Sequence, residues 1–360
     1  MFDCSEYKGK KVLITGHTGF KGSWLSILLL NAGAKVYGYS LEPPTEPSIF
    51  KLCHLEQKMH SVIGDIIDFE FLKKTFSEVE PEVVFHLAAQ PIVRESYRKP
   101  RETFETNVMG TVNVLECIRQ SKSVKSVIII TTDKVYFNDG RKEGYKEGDY
   151  LCGYDPYSNS KSCADLLTSC YISSFLNDMH IPVSILRAGN VIGGGDFAID
   201  RLIPDCIRSL ETREPVIIRN PKATRPFQHV LEPIYVYAMI GIRQMENPQL
   251  AGAYNVGPDL EEVKSVSDIL YLFNAVWNGC KKGKAEQFRW EIVPDPLNLH
   301  EANLLALDNS KCKETFGWKP VWNSYEAVRK TVEWYVAYKD GENLYDFMVS
   351  QCNAYKNDIK

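Results

Sequence analysis

Two short stretches of the chain hold residues whose types and spacing suit proton chemistry. In DPYSNSKSCADLL, Tyr157 and Lys161 are four residues apart, which places them on one face of a helix. Pro156 suits the first helical position. An ammonium beside a phenol favours the phenolate and lowers the tyrosine pKa. Such a tyrosine exchanges a proton with an alcohol oxygen while a nicotinamide takes the hydride from the same carbon. The second stretch is TTDKVY, Thr131–Tyr136, where four apolar β-formers, Val127–Ile130, run into two threonines and then Asp133 and Lys134. Strands often end on charges simply because they end at a surface. Beside a Tyr–Lys helix an adjacent acid and base have a chemical use: one removes a proton from carbon while the other protonates the oxygen leaving the neighbouring carbon. A lysine acting as the base must be neutral. A regular strand sends adjacent side chains to opposite faces, so both residues reach one substrate only if the backbone turns at Asp133.

The elements that must position these residues are legible upstream. KKVLITG, Lys10–Gly16, reads as a short apolar strand, and Phe20–Gly33 follows with helical apolar spacing and a glycine stop. Between them GHTGFKG spaces Gly16, Gly19 and Gly22 three apart. Glycines at a strand–helix junction allow a tight turn and a close approach of backbone N–H groups to a pyrophosphate, and the helix N-terminus adds a favourable dipole. Thr18, Phe20 and Lys21 complete this candidate dinucleotide cradle. The second strand, Ala34–Ser40, ends without the acidic residue that often binds the ribose of NAD; the first acid is Glu42, before Pro43 and Pro44. NAD and NADP are therefore both open at this point. In GDIID, Gly64–Asp68, a turn would set Asp65 and Ile66 beside an adenine.

Further strands are expected at Pro81–Ala89, Lys125–Asp133 and Val183–Val191, with helices at Phe69–Val79, Glu102–Ser121 and Tyr157–Leu176. Apolar strands alternating with helices imply an α/β fold of Rossmann type, a doubly wound parallel sheet covered on both faces. After Val191 the pattern loosens into a smaller mixed C-terminal substrate-binding lobe. The expected division is a dinucleotide-binding domain over 1–191, rejoined by 230–258. The lobe takes 192–229 and 259–345, and 346–360 forms a C-terminal tail. Asn138–Asp149 is the clearest long loop and follows the Asp–Lys strand end.

The chain has 360 residues and a formal net charge of −4, which carries no electrostatic footprint for nucleic acid or an anionic membrane. Ten cysteines are scattered without C-x-x-C spacing or an accompanying histidine cluster, so reduced thiols and no metal are expected. The start, MFDCSEYKGK, lacks an apolar signal core, and no apolar run is long enough to span a bilayer; a cytoplasmic protein is the expectation.

Taken together, the glycine loop, Thr132, Tyr157 and Lys161 resemble the extended short-chain dehydrogenase/reductase family. The resemblance implies that Thr132 is the family's hydroxyl residue, Tyr157 its acid/base and Lys161 its ribose-binding lysine. It also implies that HLAAQ, with Leu87, Ala88, Ala89 and Gln90, passes under the cofactor, and that Asn107 is the family's helix asparagine. Asp133–Lys134 stands where many hexose dehydratases carry Asp–Glu. Together with HTGFKGSWL, YSLEPPTEPSIF, GNVIGGGDFAIDRLIPD, ATRPFQHVLEP and HEANLLALDNSKCKETFGWKP, it is similar to the branch of nucleotide-sugar 4,6-dehydratases that acts on CDP-glucose. That branch oxidises C4 of the sugar, eliminates water across C5 and C6, and returns the hydride to C6. The alternatives are a dehydratase of a UDP-, dTDP- or GDP-hexose, or a 4-epimerase, in which Asp133 and Lys134 would have no task. By the same resemblance Arg201 and Arg225 face the substrate diphosphate, and Gln90, Asn190, His229, His300 and Glu301 lie near the nucleotide or sugar. Phe197 and Phe227 stand where this branch is expected to carry tryptophan, a change that bears on base preference. The family pairs subunits through the helices expected at Glu102–Ser121 and Tyr157–Leu176, which implies a homodimer or homotetramer.

Overall fold

A computed structural model describes residues 2–280, 288–294 and 304–359. Seven strands form one parallel sheet: β1 (Lys11–Thr15), β2 (Lys35–Ser40), β3 (His60–Ile63), β4 (Val83–His86), β5 (Ser126–Thr132), β6 (Val183–Ala188) and β7 (Ala253–Val256). The spatial order is β7-β6-β5-β4-β1-β2-β3. The chain enters at β1, winds outward to β3, then crosses back to β4 and winds the other way. The order reverses between β1 and β4, and such a switch point opens a crevice beyond the carboxyl ends of the strands.

Every residue of β5, SVIIITT, is buried, because helices cover both faces of the sheet. Alternate side chains feed separate cores. Val127 and Ile129 pack with Leu72, Val114 and Ile118 of the helices α2 (Phe69–Val79) and α3 (Gly110–Gln120). Ile128 and Ile130 join the larger core, with Trp24 of α1 (Phe20–Asn31) and Ile240 of α5 (Leu231–Glu246). The helix of the Tyr–Lys motif, α4 (Pro156–Tyr171), packs against β5 and the residues just after it.

The lobe is built from strand pairs of two or three residues, such as Val191–Ile192 with Gln228–His229, and from the helices α6 (Val266–Cys280) and α7 (Ser324–Lys339). Its core is continuous with the larger core of the sheet, running from Val12 and Ile14 through Trp24 to Trp277 and Trp334.

Three local expectations change. The long helix read over Glu102–Ser121 is interrupted by a π-helical turn, Glu105–Met109, and Tyr171 is followed by a second, Ile172–Leu176. The first carries Asn107, in keeping with the frequent placement of such turns at functional sites. The stretch read as a tail is mostly helix α8 (Leu344–Asp358). Leu344, Met348, Cys352 and Tyr355 recur at helical spacing and are buried, and Asn353 accepts a hydrogen bond from Asn31 of α1. The loop Asn138–Asp149 is anchored: the Tyr145 ring is buried and stacked on Tyr136 at 5.3 Å.

All ten cysteines are free. Among the described residues no helix is long and apolar enough to cross a membrane, and no cluster of metal-ligating side chains occurs.

Candidate active site

The glycine loop has no room for side chains at two of its positions. Gly16 has φ +78°, and a Cβ there would meet the Ala88 backbone nitrogen at 2.7 Å; a Cβ at Gly22 would meet the Gly16 carbonyl at 2.1 Å. Gly19 caps α1 without a side-chain hydrogen bond, so the first-turn N–H groups of Phe20, Lys21 and Gly22 face no side-chain cap. This donor set, at the switch point, fits a dinucleotide diphosphate. The Thr18 hydroxyl donates to the Leu41 carbonyl (2.9 Å) and lies 2.9 Å from Ser40 Oγ, tying the loop to the acid-free end of β2. His17 was not singled out from the sequence. It is buried beside Gly38, its Nε2 lies 2.7 Å from Ser61 Oγ, and burial pulls its pKa down to about 4.

The segment after β4 is pinned from two sides. Leu87 N donates to the Thr15 carbonyl (3.1 Å) and Ala88 N to the Thr15 hydroxyl (3.3 Å). Asn107 accepts from Gln90 N at 2.8 Å and donates to the Gln90 carbonyl at 3.1 Å and to Ser160 Oγ at 2.9 Å. That bracket places Ala89 and Gln90 between β4 and α4. The Gln90 side chain is engaged by its own loop, accepting from Ile92 N at 2.6 Å and donating to Thr103 Oγ1 at 2.9 Å. Asp65 is exposed and closes its turn by accepting from Ile67 N (3.0 Å), while Ile66 is buried against Gly110.

The question left at the strand end has a structural answer. β5 stops at Thr132, and Asp133–Val135 form a single 3₁₀ turn. Thr132 Oγ1 donates to Asp133 Oδ1 at 2.9 Å, and Lys134 Nζ donates to the same oxygen at 3.1 Å and to Asn190 Oδ1 at 3.2 Å. The turn therefore gathers Thr132, Asp133 and Lys134 on one side. Asp133 is buried, and its second oxygen, Oδ2, has no hydrogen-bond partner among the described residues. A buried carboxylate oxygen without a partner is costly and calls for an occupant.

Tyr157 sits one residue into α4, whose N-cap Asp155 accepts from Ser158 N at 2.9 Å, a cap worth ~1 kcal/mol. Burial pushes the Tyr157 phenol up to about 12; the Thr132 hydroxyl pulls it down, Asp133 pushes it up and Arg201 pulls it down. Lys161 donates to the Ile130 carbonyl of β5 at 3.1 Å, and burial lowers its pKa to about 8, against the pull of Asp165. The expectation was a phenol lowered by this lysine. Here desolvation of the phenol dominates instead. The amine of Lys21 reaches the same place: burial, then Arg201, lower its pKa to about 7, and Asp133, Lys161 and Lys134 also act on it.

The remaining candidates divide. Asn190 binds Lys134, and Arg201 is felt by both Tyr157 and Lys21 while lying 3.7 Å from Asp196. Arg225 is buried in the lobe, donating to the Thr224 carbonyl at 2.9 Å. His229 is buried between Trp24 and Trp322 with centroid distances of 5.8 and 4.9 Å, and its Nδ1 accepts from Leu231 N. That is a core environment, next to Gln228, whose N donates to the Asn190 carbonyl at 3.0 Å. His300 and Glu301 lie outside the described residues. Phe197 packs edge-on to Trp334, Tyr335 and Tyr338, and Phe227 is buried in the same core.

A seven-stranded parallel sheet with a glycine cradle at its switch point and a Thr–Tyr–Lys set beside it defines the epimerase/dehydratase class of short-chain dehydrogenase/reductase folds. The sequence model of the GDP-mannose 4,6 dehydratase family matches residues 13–331, and the chain belongs to that family. It is 45% identical to a CDP-glucose 4,6-dehydratase of Salmonella typhimurium over 96% of this chain and 95% of that one. It is 26% identical to a dTDP-D-glucose 4,6-dehydratase of Homo sapiens over 91% of this chain and 90% of the relative. Its fold is shared with the dTDP-glucose 4,6-dehydratase of Bacillus anthracis in complex with NAD. There the TM-score is 0.75 at 21% identity, over 94% of this chain and 100% of the other.

Proposed function

We propose that the protein removes water from CDP-glucose, giving CDP-4-dehydro-6-deoxyglucose, with NAD as a cofactor that ends each cycle unchanged. The observation that carries this reading is the 3₁₀ turn that puts Asp133 and Lys134 on the same side as Thr132, beside Tyr157. Oxidation and reduction alone need Thr132, Tyr157 and Lys161; elimination needs a further acid and base. The choice of CDP-glucose is supported by the 45% identity to the Salmonella enzyme along nearly the whole chain.

In this reading Thr132 accepts from the C4 hydroxyl, and Tyr157, as the phenolate that the positive charge of bound nicotinamide would favour, takes its proton. Bound nicotinamide supplies hydride acceptance at C4 and hydride return at C6. A ketone at C4 makes the C5 proton acidic, and Lys134 removes it. Asp133, through Oδ2, protonates the departing C6 oxygen, while its Oδ1 keeps Thr132 and Lys134 in place. Lys134 later returns a proton to C5. The count closes: the C4 hydroxyl proton and the C6 hydroxide leave as water, and C5 loses and regains one proton. Lys161 and Lys21 supply positive charge along the cofactor, and Arg201 a guanidinium fork for the sugar-nucleotide diphosphate.

The test is mass spectrometry after incubation with NAD and, separately, CDP-, UDP- and dTDP-glucose. Loss of one water from the CDP sugar is expected. Loss from another sugar would keep the chemistry and move the specificity. An isomer of unchanged mass would mean an epimerase.

A further inference from the structure

Lys134 is held by two oxygens that come from different parts of the fold. One is Asp133 Oδ1, 3.1 Å from Nζ, on the turn after β5. The other is Asn190 Oδ1, at 3.2 Å, just beyond β6. The N–H groups of a lysine only donate, so the Asn190 amide has to present its oxygen here. A tetrahedral nitrogen has four directions. Cε takes one, and the two acceptors take two more. In the amine form both N–H groups are then engaged, and the lone pair occupies the direction that remains. The Asp133 side chain is fully buried while that of Lys134 is 23% exposed, so the remaining direction is the one a substrate can reach.

Asn190 is itself fixed by its neighbours. Its carbonyl accepts from Gln228 N at 3.0 Å, at the start of the strand pair Val191–Ile192 with Gln228–His229. Gln228 Nε2 donates to the Val256 carbonyl of β7 at 2.9 Å, and Gly189 N donates to the same carbonyl at 3.4 Å. A Cβ at Gly189 would meet the Pro226 ring at 2.6 Å. Asn190 thus stands where the sheet passes into the lobe, and its place answers to both. As a neutral amide it offers an acceptor without setting a second negative charge beside Asp133.

We propose that Asn190 is a positioning residue for the elimination: with Asp133 Oδ1 it takes both N–H groups of Lys134 and aims the lone pair at C5 of the sugar. The inference rests on the reading above in assigning removal of the C5 proton to Lys134. In that step the C5–H bond breaks, the proton bonds to Nζ, and the electron pair passes into the enolate of the C4 ketone. Asn190 takes no proton. Without its oxygen, Nζ is held by Asp133 alone and turns about the Cε bond, so the lone pair loses its fixed aim.

The test is a double-mutant cycle on Lys134 and Asn190 in the NAD-loaded protein, with whichever of CDP-, UDP- and dTDP-glucose the wild-type protein dehydrates. Exchange of the C5 proton with deuterated solvent, the absorbance of reduced cofactor, and KM are read together. Asn190→Leu is expected to lower kcat and C5 exchange about 10²-fold, the cost of a small misplacement of a reacting group. KM is expected to stay in place, and reduced cofactor to accumulate because C4 oxidation persists. Asn190→Ala removes the same oxygen without adding apolar bulk and is expected to give the same split. Added to Lys134→Ala, Asn190→Leu is expected to cost nothing further. Losses that multiply would overturn the proposal, as would an equal fall in C4 oxidation. A raised KM with unchanged kcat would also overturn it, marking an amide that only binds the sugar nucleotide. C5 exchange that survives Lys134→Ala would remove the reading of Lys134 as the base. Exchange lost there and kept in both Asn190 variants would overturn this inference alone, and an epimerase would overturn both.

Discussion

The two charged pairs of this site are held in opposite ways. Tyr157 and Lys161 ride a sixteen-residue helix that is capped by Asp155 and backed by the buried Asp165–Arg187 fork. Asp133 and Lys134 sit on three residues of 3₁₀ turn, held by hydrogen bonds among Thr132, Asp133, Lys134 and Asn190. In the proposed mechanism the helix pair serves the redox step, and the turn pair is the part that an elimination adds. A scaffold common to many reactions can be deeply braced, while the residues that choose among reactions stand on a short turn whose side chains answer mainly to each other.

Breaking the helix pair should cost the most. Tyr157→Phe is expected to lower turnover about 10³-fold, with no reduced cofactor visible at any stage. Breaking the turn pair should leave the first step standing. In Lys134→Ala, proton exchange at C5 and loss of water are expected to fall at least about 10²-fold, while nucleotide binding and C4 oxidation persist in a single turnover. Unchanged turnover would remove Lys134 from the mechanism and return the Asp–Lys pair to a solvated strand end.

A third change acts on stability alone. Glu232, on α5, is buried and accepts from Val321 N (3.0 Å), Trp322 N (2.7 Å) and the Tyr355 hydroxyl (2.6 Å), clamping the last helix to the body. Burial raises its pKa from 4.5 to about 7. A group raised on folding contributes stability that is full below its unfolded pKa and lost as pH rises through its folded one. Between pH 5 and 8 the native protein should therefore lose up to about 3 kcal/mol from this group. Glu232→Gln should flatten that loss in thermal melts and leave C5 exchange unchanged. The smallest effect is expected from Thr132→Val, which removes one hydrogen bond to Asp133 Oδ1 and one acceptor for the C4 hydroxyl of the substrate; about a tenfold loss in kcat corresponds to such a bond.

What the sequence made legible follows from how local each geometry is. Tyr157 and Lys161 could be paired because helical spacing alone fixes their common face. The glycine loop could be read because the strand before it and the helix after it fix where its N–H groups point. The Asp133–Lys134 arrangement could not, since the chain had to leave the strand between Thr132 and Asp133, and only the surrounding contacts decide that. Gln90 and His229 show the same limit. The Gln90 amide is spent on Ile92 and Thr103, and the His229 ring is enclosed by two tryptophans, neither of which a residue type announces. The C-terminal helix was missed although its apolar spacing was present, because the partner face on α1 lies some three hundred residues away in the chain.

The most direct test of the account follows a label. CDP-glucose carrying deuterium at C4 is incubated with the protein and NAD in ordinary water, and the product is read by mass spectrometry and proton NMR. The account predicts loss of one water, with the deuterium found on the new C6 methyl group and a solvent proton at C5. Deuterium still on C4, in a sugar of unchanged mass, would contradict it.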